Sequence, residues 1–368
     1  MNDITLITIG SDRSLAIDNS AVTQRFRSYS VFFKKICAIV FSLNRHQVPD
    51  HVTYTKSVDV YFTNVTSRLF YIPQAFLLGR QLVRTLDLKK IVVSTQDPFE
   101  SGLVGWLISK RYKVPLHVQV HVDMGSNEFQ KASVLNKIRT HIARIVLKRA
   151  HGVRVVSPHI KKDIIDSYGV LDSRITVLPI VHTYKPVGRV EGGESYILIV
   201  GRLEKEKRID MALRLCKKAL DQNPELIIKI AGTGREEEKI KRMASELGIR
   251  DRVQFLVEVT DVSSLYAGAR CLLHTSLYEG FGLVLYEAMM SGCPIVTTRV
   301  GIAEDLENKG YAIDVCNIYD QDALGEAVVE STRVFRHDIE PVTLKYMPQS
   351  EEEYVSQYSQ SIYDAVEN

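Results

Sequence analysis

The 368-residue sequence lacks any long apolar run near its start. The longest there, Ile36 to Phe41, falls far short of the ~20 residues a membrane-spanning helix needs. It also reads as having no secretory leader at its start, so the expected location is cytoplasmic. Cysteine is sparse: Cys37, Cys216, Cys271, Cys293 and Cys316 are odd in number and in no metal-ligand spacing, and three lie within apolar runs. That argues against a disulfide framework and for buried thiols in a reducing compartment. The Gly232-Thr233-Gly234 turn has neither the third glycine of a dinucleotide fingerprint nor the Lys-Ser/Thr of a P-loop. No nucleic-acid-binding module and no interleaving of aromatic with basic residues is present, so a nucleic-acid partner is not expected.

What is present is the composition of a globular chain, 45% apolar and 25% charged, long enough for two domains. The net charge of +3 hides an asymmetry. Residues 1–190 hold 27 Lys and Arg against 13 Asp and Glu, a net +14, and residues 191–368 hold 20 against 31, a net −11. The first half is therefore expected to meet an anionic partner. Within it, residues 133–149 have helical periodicity, with Leu135, Ile138, Ile142, Ile145 and Val146 on one face. Lys137, Arg139, Arg144, Lys148 and Arg149 give the same segment a basic surface. Such a surface suits peripheral contact with an anionic membrane, each basic residue contributing on the order of 1 kcal/mol.

Strand patterns at 4–9, 36–41, 58–62, 90–94, 116–120, 153–157 and 175–178 alternate with helical ones, which predicts a doubly wound parallel α/β sheet. A polar stretch with Pro186 and three glycines, residues 183–195, reads as a linker. It divides a domain of residues 1–182 from one of residues 196–349. Alternation resumes at 196–200, 226–231, 253–256, 271–274 and 294–297, and a last helix is expected over about 350–368.

The polar residues gather at strand ends, where open α/β sheets bind ligands. Gly10 closes the first strand and lets the backbone approach a ligand. Asp97 follows the strand at 90–94, and His121 and Asp123 follow the strand at 116–120. In the second half Arg202 and Lys207 follow the first strand: Arg202 can fork onto phosphate oxygens and Lys207 can serve as a mobile point charge. The stretch Glu279 to Glu287 (EGFGLVLYE) turns from a strand into a helix at Gly280 to Gly282, offering free N–H groups and a positive dipole end to a phosphate. Its two glutamates are spaced to accept hydrogen bonds from hydroxyls on either side of that phosphate. Val257 to Val259 could lay backbone groups against a flat base.

Arg202 with Lys207, the Glu279-to-Glu287 spacing, and the Ala-Met-x-x-Gly-x-Pro-Ile-Val run from Ala288 to Val296 occur together in this order. The combination resembles the retaining glycosyltransferases of family 4, glycosyl transferases group 1. The second half resembles them along nearly all its length. The first does so more loosely, through strand order, polar strand ends and the segment from Lys148 to Ser157. The resemblance implies the GT-B fold, two Rossmann-like parallel-sheet domains facing each other across a cleft, with the C-terminal helix returning to the first domain through Tyr354, Tyr358, Ile362 and Tyr363. It implies that Arg202 and Lys207 neutralise the diphosphate of a nucleotide-sugar, that Glu287 holds the ribose and Glu279 the sugar, and that the N–H groups of Phe281, Gly282, Leu283 and Val284 hold sugar and phosphate. His121 would lie near the sugar, Gly10 near the diphosphate and Val257 near the base, with Asp97 and Asp123 on the acceptor side. Arg208, Val257 and the single glycine of the first loop depart from the family pattern.

No Asp-x-Asp stretch lies beside these motifs, so neither a metal nor a cofactor is expected and the cations would take the metal's place. The expected activity is retaining sugar transfer to a lipid-linked or polysaccharide-precursor acceptor in cell-surface glycan synthesis, including lipopolysaccharide, at the inner face of the cell membrane. Transfer to a soluble acceptor, sugar-nucleotide epimerisation and silent nucleotide-sugar binding remain the alternatives.

Overall fold

Short runs of β-branched residues build the strands, and glycine or polar residues end them. The computed structural model describes residues 3–180, 184–190, 194–257, 259 and 261–367. The chain divides into two units, residues 1–181 with 346–368, and residues 182–345.

The first unit holds strands β1 (Thr5–Gly10), β2 (Lys35–Val40), β3 (His51–Thr55), β4 (Val58–Phe62), β5 (Ile91–Thr95), β6 (Leu116–Val120), β7 (Gly152–Val155) and β8 (Ile175–Val177). They form one sheet in the order β3-β4-β2-β1-β5-β6-β7-β8. Parallel pairing runs throughout except at one edge, where β3 and β4 make an antiparallel hairpin that the periodicity did not predict. Its outer strand, HVTYT, is half-exposed and polar, as an edge strand facing water can be. Asp59 on β4 fastens it, accepting from Thr53 Oγ1 at 2.6 Å and pairing with Lys35 Nζ at 2.7 Å.

The strand order reverses between β1 and β5, and that reversal opens a crevice at their carboxyl ends. The helix Glu351–Glu367 returns to this sheet as the resemblance implied. Tyr354, Tyr358 and Ile362 are buried, Tyr358 stacks on Tyr29 with ring centroids 4.6 Å apart, and Tyr363 donates to Phe32 O at 2.6 Å. Burial of each large side chain contributes roughly 1.5–3 kcal/mol.

The amphipathic segment in this unit is a helix that leaves much of its apolar face uncovered. The helix Val134–Leu147 turns Thr140, Ala143, Val146 and Leu147 inward. It leaves Val134, Leu135, Ile138 and Ile145 exposed beside Lys137, Arg144 and Lys148. Arg139 helps set this rotation: its Nε bonds Glu100 Oε1 at 2.9 Å and its guanidinium lies over the Phe99 ring.

The second unit holds β9 (Ser195–Val200), β10 (Leu226–Ala231), β11 (Val253–Leu256), β12 (Cys271–His274), β13 (Ile295–Thr298) and β14 (Ile313–Cys316). Their all-parallel order is β11-β10-β9-β12-β13-β14, with the reversal between β9 and β12. Of the stretch read as a linker, residues 183 and 191–193 lie outside the described residues. Its described part is tied to this unit: Arg189 donates to Tyr266 O, Ala269 O and Arg336 O at 2.8, 2.8 and 3.1 Å, and Tyr184 Oη lies 2.5 Å from Ser291 Oγ.

Candidate functional site

The reversal between β9 and β12 brings together side chains that are far apart in sequence. β9 runs into Gly201, and a short 3₁₀ turn, Lys205–Lys207, delivers Lys207. The Gly-Thr-Gly turn has a structural use here. A Cβ on Gly232, at φ +143°, would lie 2.0 Å from Gly201 O, so only glycine lets the β10 turn back this loop. The Leu203 N–H then donates to Thr233 O at 2.8 Å.

β12 delivers the partners. Lys207 Nζ pairs with Glu279 Oε1, and Ser276 Oγ donates to the same oxygen at 2.8 Å. His274 Nε2 lies 3.1 Å from it without a well-aligned hydrogen bond. Burial would raise the Glu279 carboxyl, but His274 and the Lys207 ammonium hold it down at about 2, so it is ionised at neutral pH. Among the described residues its Oε2 takes no hydrogen bond. Lys207 is thus a pinned charge, its side chain 17% exposed, and not the mobile one expected. Arg202 is the mobile one: its side chain is 71% exposed and, among the described residues, held only by Glu206 Oε1 at 3.1 Å, a surface pair worth at most about 1 kcal/mol.

Gly282, at φ +84°, caps the helix Leu283–Met290. Among the described residues no partner takes the N–H groups of Phe281, Gly282, Leu283 and Val284. The Phe281 carbonyl, by contrast, accepts from Ile302 N–H at 3.0 Å. Gly301 permits that contact, since a Cβ there would sit 2.2 Å from Phe281 O. Glu287 is buried, and its Oε2 accepts from Tyr266 Oη at 2.8 Å. Arg208 takes the left-handed conformation at φ +49° that glycine adopts freely. Its guanidinium bonds Asp210 at 3.0 Å, and Thr275 Oγ1 reaches the carbonyls of Lys207 and Arg208 at 2.9 and 3.1 Å. Val257 is exposed, and Glu258 lies outside the described residues. The spacing Asp320-Gln321-Asp322 lies on another helix, where Asp320 accepts from Ala323 N–H at 3.0 Å as the N-cap.

In the first unit the reversal between β1 and β5 opens a pocket of about 320 Å³ whose walls include Ser11, Asp12, Gln96, Asp97 and His121. His121 Nδ1 is buried without a partner among the described residues. Burial, with the nearby charges of Arg154 and Arg25, pushes its imidazole down to about 3, so the ring is neutral. Asp97 lines the pocket while its Oδ1 accepts from Phe99 N–H at 2.8 Å, and burial raises its carboxyl.

Gly10 has the Gln96 side chain packed against it. The space its side chain would take is filled by Gln96, whose Oε1 would lie 2.1 Å from a Cβ. Asp123 is not among the pocket's lining residues. Its Oδ1 accepts from Ser126 N–H at 3.2 Å and its Oδ2 faces His159 Nε2 at 3.3 Å, so it braces Ser126, the N-cap of the helix Asn127–Ala132. The sequence reading missed His274, Ser276 and Tyr266, which hold the two glutamates. A histidine ending an apolar strand was the available signal for the first.

Comparison with known proteins adds the following. The family model for glycosyl transferases group 1 matches residues 182–331, and that for a glycosyl transferase 4-like domain matches residues 41–180. A stretch of 139 residues is 37% identical to the UDP-N-acetylglucosamine–peptide N-acetylglucosaminyltransferase GtfA subunit of Streptococcus gordonii, covering 36% of this chain and 27% of that one. The first curated relatives are thus matched over about a third of their length or less. An N-acetyl-α-D-glucosaminyl L-malate synthase of Bacillus anthracis is 26% identical over 74% of each chain. Among solved structures, the sucrose-phosphate synthase of Thermosynechococcus elongatus superposes with a TM-score of 0.69 at 17% identity, over 99% of this chain and 97% of the other.

Proposed function

Since the chain belongs to the glycosyltransferase group 1 family and has two parallel-sheet α/β domains of the GT-B type, we propose that it moves a sugar, with retention, from a nucleotide-sugar to a lipid-linked or polysaccharide-precursor acceptor in cell-surface glycan synthesis. The observation that carries this is the group at the β9/β12 reversal. There Lys207, Arg202 and four N–H groups without a partner among the described residues gather at strand ends with an ionised Glu279.

The chemistry follows from those groups. As the bond from the anomeric carbon to the diphosphate oxygen breaks, negative charge grows on the leaving group, and fixed cations with a helix N-terminus stabilise it. Lys207 is already in place, and Arg202 leaves Glu206 for the diphosphate at small cost. These cations act in place of a metal ion. The acceptor oxygen attacks the same face, and its proton passes to the departing phosphate, so no protein nucleophile is needed. Glu279 Oε2 accepts from a hydroxyl of the sugar, and Glu287 serves the ribose. The UDP-sugar in the name of the Streptococcus relative supports a uridine donor as the first to try.

Among the described residues no helix is long and apolar enough to cross a membrane. The exposed Val134, Leu135, Ile138 and Ile145, flanked by Lys137, Arg144 and Lys148, have the make-up of a helix that lies in a membrane interface, and we assign peripheral contact to this face. Salt-sensitive binding to anionic liposomes, lost in Leu135→Glu/Ile138→Glu, is expected; no binding at low salt contradicts it.

A thermal-shift panel of UDP-, GDP-, ADP- and TDP-sugars tests the donor. One of them should raise the midpoint, and free nucleoside diphosphate should appear only when acceptor is added. A shift with no release under any acceptor would leave a binding protein. Turnover of the donor without acceptor, seen by NMR, would indicate an epimerase.

A further inference from the structure

We infer that the first unit's pocket binds its acceptor through a phosphate group, gripped by Arg25 beside His121. This rests on the transferase reading above and names the acceptor's chemistry.

Arg25 lies on the helix Ala21–Tyr29, is half-buried and lines the pocket. Among the described residues its guanidinium has neither a carboxylate nor a hydrogen-bond acceptor. Arg27, two residues on, shows the ordinary alternative: it bonds Asp18 Oδ1 at 2.6 Å and Asn19 Oδ1 at 2.8 Å. A second cation in the wall is also without a counter-ion among the described residues. Arg154 is 2% exposed and donates to Leu178 O, Pro179 O and Gln119 Oε1 at 2.9, 3.1 and 2.8 Å. It sits against the rings of Tyr354 and Tyr358, its three hydrogen bonds go to neutral oxygens, and among the described residues no carboxylate balances its charge.

The pocket's own carboxylates do not supply the missing charge. Asp12 Oδ1 holds the N–H and O–H of Ser14 at 3.0 and 2.6 Å, and Asp97 Oδ1 holds the Phe99 N–H. Neither forms an ion pair with Arg25 or Arg154 among the described residues. Phe26, Tyr29, Tyr354 and Tyr358 keep the walls apolar, which lowers the local dielectric and strengthens an ion pair formed there. A tetrahedral oxyanion fits this set. It offers two oxygens to the open guanidinium fork and a third to the neutral imidazole, while Arg154 contributes a fixed field.

The test is a titration of the full chain with inorganic phosphate, followed through the His121 imidazole NMR signal, assigned by its loss in His121→Gln. We expect a saturable shift that survives in Arg202→Ala/Lys207→Ala, where phosphate binding by the second unit is removed. Arg25→Gln should weaken the apparent affinity roughly tenfold or more, the scale of one lost charge-assisted fork, and Arg25→Lys should recover part of it. An unresponsive His121 signal, or an undiminished response in Arg25→Gln with unchanged far-UV circular dichroism, overturns the proposal. Flotation with phosphatidylglycerol vesicles in the Leu135→Glu/Ile138→Glu background, which removes the helix face's own contact, separates the two sources of phosphate once the His121 response is seen: residual binding lost in Arg25→Gln identifies a lipid phosphate, and no residual binding, or binding unchanged by Arg25→Gln, identifies a soluble ester. Nucleoside diphosphate binding to Arg25→Gln reports on the donor reading alone, so the two failures are distinguishable.

Discussion

The two units share an architecture and differ in how they treat cations. In the second, Lys207 is paired with Glu279 and Arg202 with Glu206, so the strand-end group is nearly balanced in charge before anything binds. In the first, Arg25 and Arg154 meet no carboxylate among the described residues, and the adjacent histidine is held neutral. A balanced group can recognise a diphosphate by exchanging partners, as Arg202 would. An unbalanced one attracts an anion outright, and the net +14 of residues 1–190 surrounds it.

The sharpest way to break this contrast is at Lys207. Lys207→Ala is expected to lower turnover by roughly two to three orders of magnitude, the effect of removing one preorganised donor from a developing anion. A loss of only a few-fold in steady-state rates would mean that the pinned charge is structural. Next in size is the glycine that backs the same loop. Gly232→Ala forces a Cβ against Gly201 O at a backbone angle unsuited to alanine, and should cost on the order of 2–3 kcal/mol in urea unfolding.

Acid should separate the units. His117 and His121 both have imidazoles pushed down to about 3 by burial and by Arg154. Below 6.5 the unfolded chain takes up protons that the folded chain refuses, so first-unit stability falls as pH drops from 6.5 toward 3. Glu279, held at about 2, adds its loss in the second unit only below its ordinary 4.5. The single tryptophan, Trp106, lies in the first unit, and its emission in urea titrations at successive pH values follows that unit. His121→Gln should flatten the dependence between 6.5 and 3 by about 1.4 kcal/mol per pH unit. An unchanged slope would mean that His121 takes its proton in the folded state. The smallest effect belongs to Arg202→Ala, which should leave stability within about 0.5 kcal/mol while still weakening donor binding.

The second unit was the more legible of the two because its chemistry is contiguous. Glu279 to Glu287 carries the turn, the helix start and both carboxylates in one stretch, and the strands at 226–231, 253–256 and 271–274 have the predicted bounds. The first unit's pocket draws on β1, the helix Ala21–Tyr29, β5, β6, β7 and the C-terminal helix, so Arg25 and Arg154 had no neighbours in sequence to mark them. Arg154 read as one residue of an apolar strand, and only the tertiary fold shows Tyr354 and Tyr358 beside it. Periodicity left the surroundings of Leu135, Ile138 and Ile145 open for a related reason. It locates an apolar stripe but not what covers it, and the inward face here is made of the smaller Thr140 and Ala143 with Val146 and Leu147. At Gly10 the space a Cβ would take is filled by the Gln96 side chain, a neighbour far away in sequence.

The central claim, that the β9/β12 reversal seats a nucleotide-sugar diphosphate on Lys207 and Arg202, is tested most directly by calorimetric titration of UDP, GDP and ADP into the wild-type chain and Arg202→Ala/Lys207→Ala. The account predicts that one of the three binds the wild type and that the double variant binds it roughly a hundredfold more weakly, the loss of two charge-assisted contacts. Equal affinity in the two proteins would contradict it.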